Sequence, residues 1–183
     1  ERLAKGTAYQ QLQMNSGATA PEWATARRKL SADTTFYIGT GGNDTTGDGS
    51  VGLPWLTLQK AINVVSELDI GIYNVIIQVG DGTYTGGGTI TGPWLGSGTV
   101  TIQGNSGTPA NVIISTTSAN CFTITNNARL VLKDMELRTT TGGDCIAVLK
   151  KSHLDFQNLR FGACASIHLN VVGMSTALAT GNY

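Results

Sequence analysis

The chain has 183 residues, 40% hydrophobic and 13% charged, and its 12 basic and 12 acidic side chains cancel to a formal net charge of zero. That balance argues against an electrostatic nucleic-acid binder, which needs clustered Lys and Arg to release counterions; Arg27-Arg28-Lys29 is too short a cluster. Apolar content is too high for a disordered chain, and runs such as "VIIQV" fall far below the roughly 18 residues of a membrane helix, so no membrane insertion is expected.

Twenty-four glycines, many threonines and 7% aromatic residues make a composition poor in helix formers and rich in turn and strand formers. An extended all-β structure punctuated by turns is predicted. No charged-then-apolar leader opens these residues, so no secretory signal is expected.

Residues 1–32 lack core-like periodicity beyond the alternation of Tyr9, Gln11, Leu12, Gln13 and Met14. Such a segment cannot bury itself. It reads as an extended arm with a short hairpin, Leu12 and Met14 on one face and a turn at Asn15-Ser16-Gly17. Trp23 follows Pro21 and needs a surface to lie against, because a large aromatic on a thin arm leaves much apolar area in water. Another chain is the natural supplier of that surface.

Residues 33–74 hold a short strand, "TTFYIG", then the loop "TGGNDTTGDGSVG" and a helix. Asn43, Asp44 and Asp48 offer oxygen ligands, but the loop lacks the further acidic positions and distant bidentate Glu of a calcium loop, so Asx-type turns are expected. Thr57 is a candidate N-cap, and Leu58, Ala61, Ile62, Val65 and Leu68 recur at helical spacing through residues 57–68. One apolar face requires the helix to cover something.

From 75 to 183 the chain repeats a shape. Val75, Ile77 and Val79 alternate as one strand face. With an offset of 24, Cys121 falls on Cys145, Phe122 on Ile146, Ile124 on Val148, Leu130 on Leu154, Leu132 on Phe156, Met135 on Leu159 and Leu137 on Phe161. Outward from there, Val75 and Ile77 fall on Val100 and Ile102 at 25, and Ile146 and Val148 on Ile167 and Leu169 at 21. A period of two dozen residues built from very short strands is the mark of a solenoid, in which each turn buries its inner face by stacking on the next. About four coils are predicted between 75 and 172. The helix at 57–68 is expected to cap the unpaired edge of the first.

The run "DGSVGLPWLTLQKAI", then "VIIQVGDGTY" and stacked short strands, resembles the start of right-handed parallel β-helix proteins of the pectin-lyase-like type. The stretch "KGTAYQQLQMNSGATAPEWAT" resembles a linker motif of bacteriophage tail fibre and tailspike proteins. Together the resemblances imply a homotrimeric virion component, assembled in the bacterial host cytoplasm. Its N-terminal arm would dock to other virion proteins of tail, baseplate or head. Its β-helix would face host-surface polysaccharide. Leu12, Met14 and Trp23 are the candidate docking anchors. The alternative is the N-terminal part of a polysaccharide depolymerase, a glycosidase or lyase, with its catalytic residues elsewhere in a longer chain.

No catalytic constellation is expected within these residues, and no cofactor or metal. Hydrolysis by two carboxylates needs a pair roughly 5–10 Å apart. Asp134 is matched one repeat later by Asn158 and Glu136 by Arg160, Asp155 is matched one repeat earlier by Val131, and Asp144 sits at a glycine-rich corner. Glu136 and Arg160 read as a surface ion pair between neighbouring coils. His153 and His168 are read in strands without metal-ligand spacing, and Cys121, Cys145 and Cys164 as free thiols rather than a disulfide framework. Tyr84 and Trp94 are the candidate carbohydrate contacts, against the simpler reading of aromatics that pack loops onto the body.

Overall fold

The computed structural model describes residues 5–7, 10–14, 17, 19–25 and 27–180. In chain order the arm holds β1 (Gln10–Met14) and β2 (Pro21–Thr25). After them come β3 (Thr34–Ile38), α1 (Leu58–Ser66), β4 (Asp69–Gly71), β5 (Val75–Val79), β6 (Gly82–Tyr84) and β7 (Gly88–Thr91). The chain continues through β8 (Leu95–Gly96), β9 (Val100–Gln103), β10 (Val112–Ser118), β11 (Phe122–Thr125) and the long β12 (Arg129–Gly142). It finishes with β13 (Ile146–Val148), β14 (His153–Phe161), β15 (Leu169–Val171) and β16 (Thr176–Ala179). The class is all-β, with one α-helix among the described residues.

Apart from the β1–β2 hairpin, every strand pairing is parallel. One ladder runs β3-β5-β9-β12-β14-β16, a second β7-β11-β13-β15, and β6, β10 and the distal half of β12 form a third. The chain visits them in the same order each time. β5, β6 and β7 contribute one strand to each ladder, and β9, β10 and β11 do the same one step further along.

The sequence offsets reappear as pairing registers. Val75 lies beside Val100, Phe122 beside Ile146, Leu130 beside Leu154, Leu132 beside Phe156 and Leu137 beside Phe161. The last step is a correction: Ile146 pairs with Leu169 and Val148 with Val171, an offset of 23, not 21, so Ile167 lies outside the strand and is exposed. Two extra residues in the preceding bend shift the register while keeping apolar letters two apart, which is why the sequence alone misplaced it.

Alternation decides what is inside. β5 and β9 bury every second residue, and Ile77, Ile102, Ile124, Leu132, Leu137 and Ile146 are sealed in one core. Each such side chain contributes roughly 1.5–3 kcal/mol by leaving water. The corner that splits β12 into two ladders is at Asp134, φ 62°, and the same corner one step later is at Asn158, φ 51°. Both are among the few residue types that accept a left-handed backbone, and Asn158 Nδ2 donates to Asp134 Oδ1 at 2.8 Å.

Parallel edges are covered at the N-terminal end. Along β3, the loop before the helix pairs with Tyr37: Tyr37 N–H donates to Gly49 O, and Trp55 N–H to Tyr37 O. Trp55 anchors that loop, buried against Phe36 with ring centroids 5.2 Å apart and its indole N–H on Gly47 O. The expected capping helix lies over β7. Its Gln59 side chain behaves as a missing strand, accepting from Thr89 N–H at 2.8 Å and donating to Thr89 O at 3.2 Å.

Thr57 caps the helix as expected, its hydroxyl accepting from Lys60 N–H. The acidic loop is committed to turns. Asn43 Oδ1 accepts from the backbone of Thr45 and Thr46, Asp48 Oδ1 from Ser50, and Asp44 from Leu56 N–H, Thr57 N–H and the Thr57 hydroxyl.

The arm joins the body before residue 33. Asp69 N–H donates to Arg28 O and Leu30 N–H to Asp69 O, so residues 28–30 form a parallel bridge onto β4.

Candidate functional site

Two sites carry residues singled out in the sequence: the hairpin face of the arm, and a cleft beside the first ladder.

In the hairpin, Leu12 pairs with Trp23 and Met14 with Pro21. Directly opposed residues of an antiparallel pair share a face, and i and i+2 share it too. Leu12, Met14, Pro21 and Trp23 therefore form one continuous apolar face. Leu12 and Met14 are each about half exposed, at 54% and 52%. The Trp23 ring stacks on Gly6 so closely that a Cβ there would lie 2.6 Å from Cδ2. Of the turn expected at Asn15-Ser16-Gly17, Asn15 and Ser16, like Tyr9, lie outside the described residues.

The cleft is about 370 Å³ in volume and lies between the loop after β7 and the outer face of the first ladder. Trp94 forms one wall, held by its indole N–H donating to Arg129 O at 2.6 Å, with its ring half-buried. Arg129 and His153, register partners on adjacent strands, also line the cleft. His153 Nδ1 is 2.5 Å from Thr176 Oγ1 and its Nε2 is 3.1 Å from Asp155 Oδ1. The imidazole is therefore oriented at both nitrogens.

An aromatic ring and oriented polar groups lining one cleft suit a saccharide ring: its C–H face stacks while its hydroxyls find donors and acceptors. Chemistry on a glycosidic bond needs more. Asp155 is the one carboxylate among the described residues that line the cleft, so the two-carboxylate arrangement lacks its second member.

Tyr84, the other proposed carbohydrate contact, is buried at 6% exposure, its hydroxyl donating to Gly80 O at 2.9 Å. Burial and the nearby Asp81 carboxylate push its phenol up to about 12. Tyr84 is thus a largely buried residue of the core cluster rather than an exposed aromatic. The sequence signal failed because alternation in a three-residue strand is too short to show which way the ring points.

The acidic residue of the third ladder, Glu136, also differs from expectation. Glu136 and Arg160 are register partners, but Glu136 is not a surface group: its carboxylate is buried at 6% exposure. Arg138 Nε approaches one oxygen at 2.5 Å and Arg160 Nε the other at 3.5 Å. Two exposed guanidinium groups cover and clamp one buried carboxylate.

His168 precedes β15 rather than lying in a strand; its Nε2 is 3.0 Å from Gly162 O and its ring meets Phe161 edge-on. All three cysteines are free. Among the described residues, no group of three or more His, Cys, Asp or Glu is arranged to hold a metal ion, and no helix is long and apolar enough to cross a membrane.

No family model and no solved structure matches the chain. A transmembrane domain-containing protein of Dictyostelium discoideum is 36% identical over 47 residues, a stretch that is 25% of this chain and 3% of that protein.

Proposed function

We propose that the chain is a structural virion component of the fibre or tailspike kind. Its body is a right-handed parallel β-helix of about four coils, its arm docks to other particle proteins, and its Trp94 cleft contacts host-surface polysaccharide. Stacked registers near two dozen residues support the rod: the same inward column recurs at each step, so added length gives stiffness. The observation that carries the docking role is the hairpin face of Leu12, Met14, Pro21 and Trp23, an apolar strip on a two-stranded ribbon that is only marginally stable unless it is covered. Assembly as a homotrimer follows from the tailspike resemblance.

Light scattering of the purified protein tests the assembly, with three times the 19.1 kDa chain mass expected. Incubation with bacterial capsular and O-antigen polysaccharides tests the rest. Retention without oligosaccharide release is the expected result, and release by this chain alone would overturn the non-enzymatic reading. A monomer that is retained by no polysaccharide would remove both the trimer and the cleft's role.

A further inference from the structure

Cys121, Cys145 and Cys164 gather at one corner of the core, against consecutive residues of β12. Cys121 Sγ donates to Arg138 O at 3.1 Å and Cys145 Sγ to Leu137 O at 3.7 Å, while Cys164 Sγ lies 3.5 Å from Thr139 Oγ1 and 3.9 Å from Gly143 O. The Thr139 hydroxyl is the buried peg that sets Cys164 in place. It contacts Gly143 O at 3.1 Å, two residues before Cys145, and accepts from Ala165 N–H at 2.8 Å, one residue after Cys164. The three thiols thus bond to residues 137, 138 and 139 of one strand, which places the Cys145 side chain near both others.

The three sulfurs are unequal. Cys121 and Cys145 are fully buried, while Cys164 is partly open to solvent. Desolvation pushes Cys164 up, but hydrogen bonds from the Thr139 hydroxyl, the Ser166 backbone and Cys145 outweigh it, so its thiol titrates below the usual range. Burial, then the Cys164 contact, pushes Cys145 well above it. A partly exposed, readily ionised thiol near a buried partner is the arrangement of an attacking and a resolving cysteine.

We propose that Cys164 and Cys145 form an oxidative modification site, closed into a disulfide by exchange with a small-molecule disulfide such as oxidised glutathione. The Cys164 thiolate attacks one sulfur of the small disulfide; that S–S bond breaks, one glutathione thiolate leaves, and a mixed disulfide forms. Cys145 Sγ then attacks Cys164 Sγ, expelling the second glutathione sulfur, which takes up the Cys145 proton. Two protein thiols lose two electrons in all, one small disulfide is reduced to two thiols, and the protons end on the departing sulfurs. The bond ties the bend before β15 to the start of β13, fastening one step of the stack to the next.

The test is oxidation of the reduced full chain with oxidised glutathione, followed by alkylation, intact mass and peptide mapping. The expected result is loss of two alkylatable thiols, a mass lower by two hydrogens, and a cross-linked peptide pair containing Cys145 and Cys164, with Cys121 still alkylated. Oxidised protein should also unfold several degrees higher than reduced protein. In the Cys145→Ser variant, a single glutathione should remain on Cys164. A Cys121–Cys145 bond, a stable glutathione adduct on wild-type Cys164, a bond between chains, or three thiols that stay reduced would each overturn the assignment. Wild-type mapping decides this by itself even if the Cys145→Ser protein does not fold.

Discussion

Asp44 shows how one side chain holds a long loop. Its carboxylate takes three hydrogen bonds from Leu56 and Thr57, and so ties the loop that covers β3 to the first turn of α1. Desolvation acts to raise its pKa, but the bonds from Thr57 and Leu56 and the charge of Lys60 prevail, and the group titrates below the ordinary carboxylate range. The folded state therefore binds this proton less tightly than the unfolded chain does. The ionised form adds stability above the ordinary carboxylate pKa, and that contribution is lost as the pH falls through the lowered native value. Asp44→Ala should cost about 1–3 kcal/mol at neutral pH, and the gap to wild type should close in acid; urea titrations across pH would show it. At the core, Ile124 is sealed between Ile90 and Val148 of the adjoining strands. Ile124→Ala should cost roughly 2–5 kcal/mol in the same measurement, because stacked walls on both sides limit collapse of the cavity.

At the scale of elements, edges and faces matter more than single contacts. Gln59 gives α1 a function beyond burial, since its amide satisfies the Thr89 backbone on the open side of β7. Gln59→Leu should cost only about 1 kcal/mol, yet leave a bare parallel edge. Faster growth of light scattering on mild heating would register that edge. The loop bearing Trp94 bonds to β12 through the indole N–H on Arg129 O. Trp94→Ala should weaken polysaccharide retention about tenfold by affinity electrophoresis while changing the melting temperature little. Equal losses of retention and stability would recast Trp94 as packing alone.

For the whole molecule, the two ends of the stack are unlike. The N-terminal end is closed by the loop anchored on Trp55 and by α1, whereas near the last described strands Phe161, Val171, Val172, Met174 and Leu178 are exposed. The arm is a separate hairpin that reaches the body through residues 27–30, where Arg27 also donates to Ser66 O. Replacing Leu12 and Trp23 together by Asp should therefore leave the melting transition of the body unchanged. On the proposed docking role, it should abolish co-sedimentation of the protein with phage particles that lack their own copy of it. A drop in the body's melting temperature would show that the hairpin belongs to the core rather than to a docking surface.

The sequence by itself determined the strand class, the helix with its Thr57 cap, and the 24- and 25-residue registers, because inward positions two apart are a local rule that stacking repeats at each step. It also placed Leu12 and Met14 on one hairpin face. Only the tertiary structure decided the rest. The last register slipped to 23, Tyr84 turned inward and Glu136 lay buried under two arginines. The cleft joined Trp94 to Arg129, His153 and Asp155, and three thiols up to 43 residues apart in sequence met at one corner. Side-chain direction at corners, and contact between successive turns of the chain, depend on how loops of different length close over the stack.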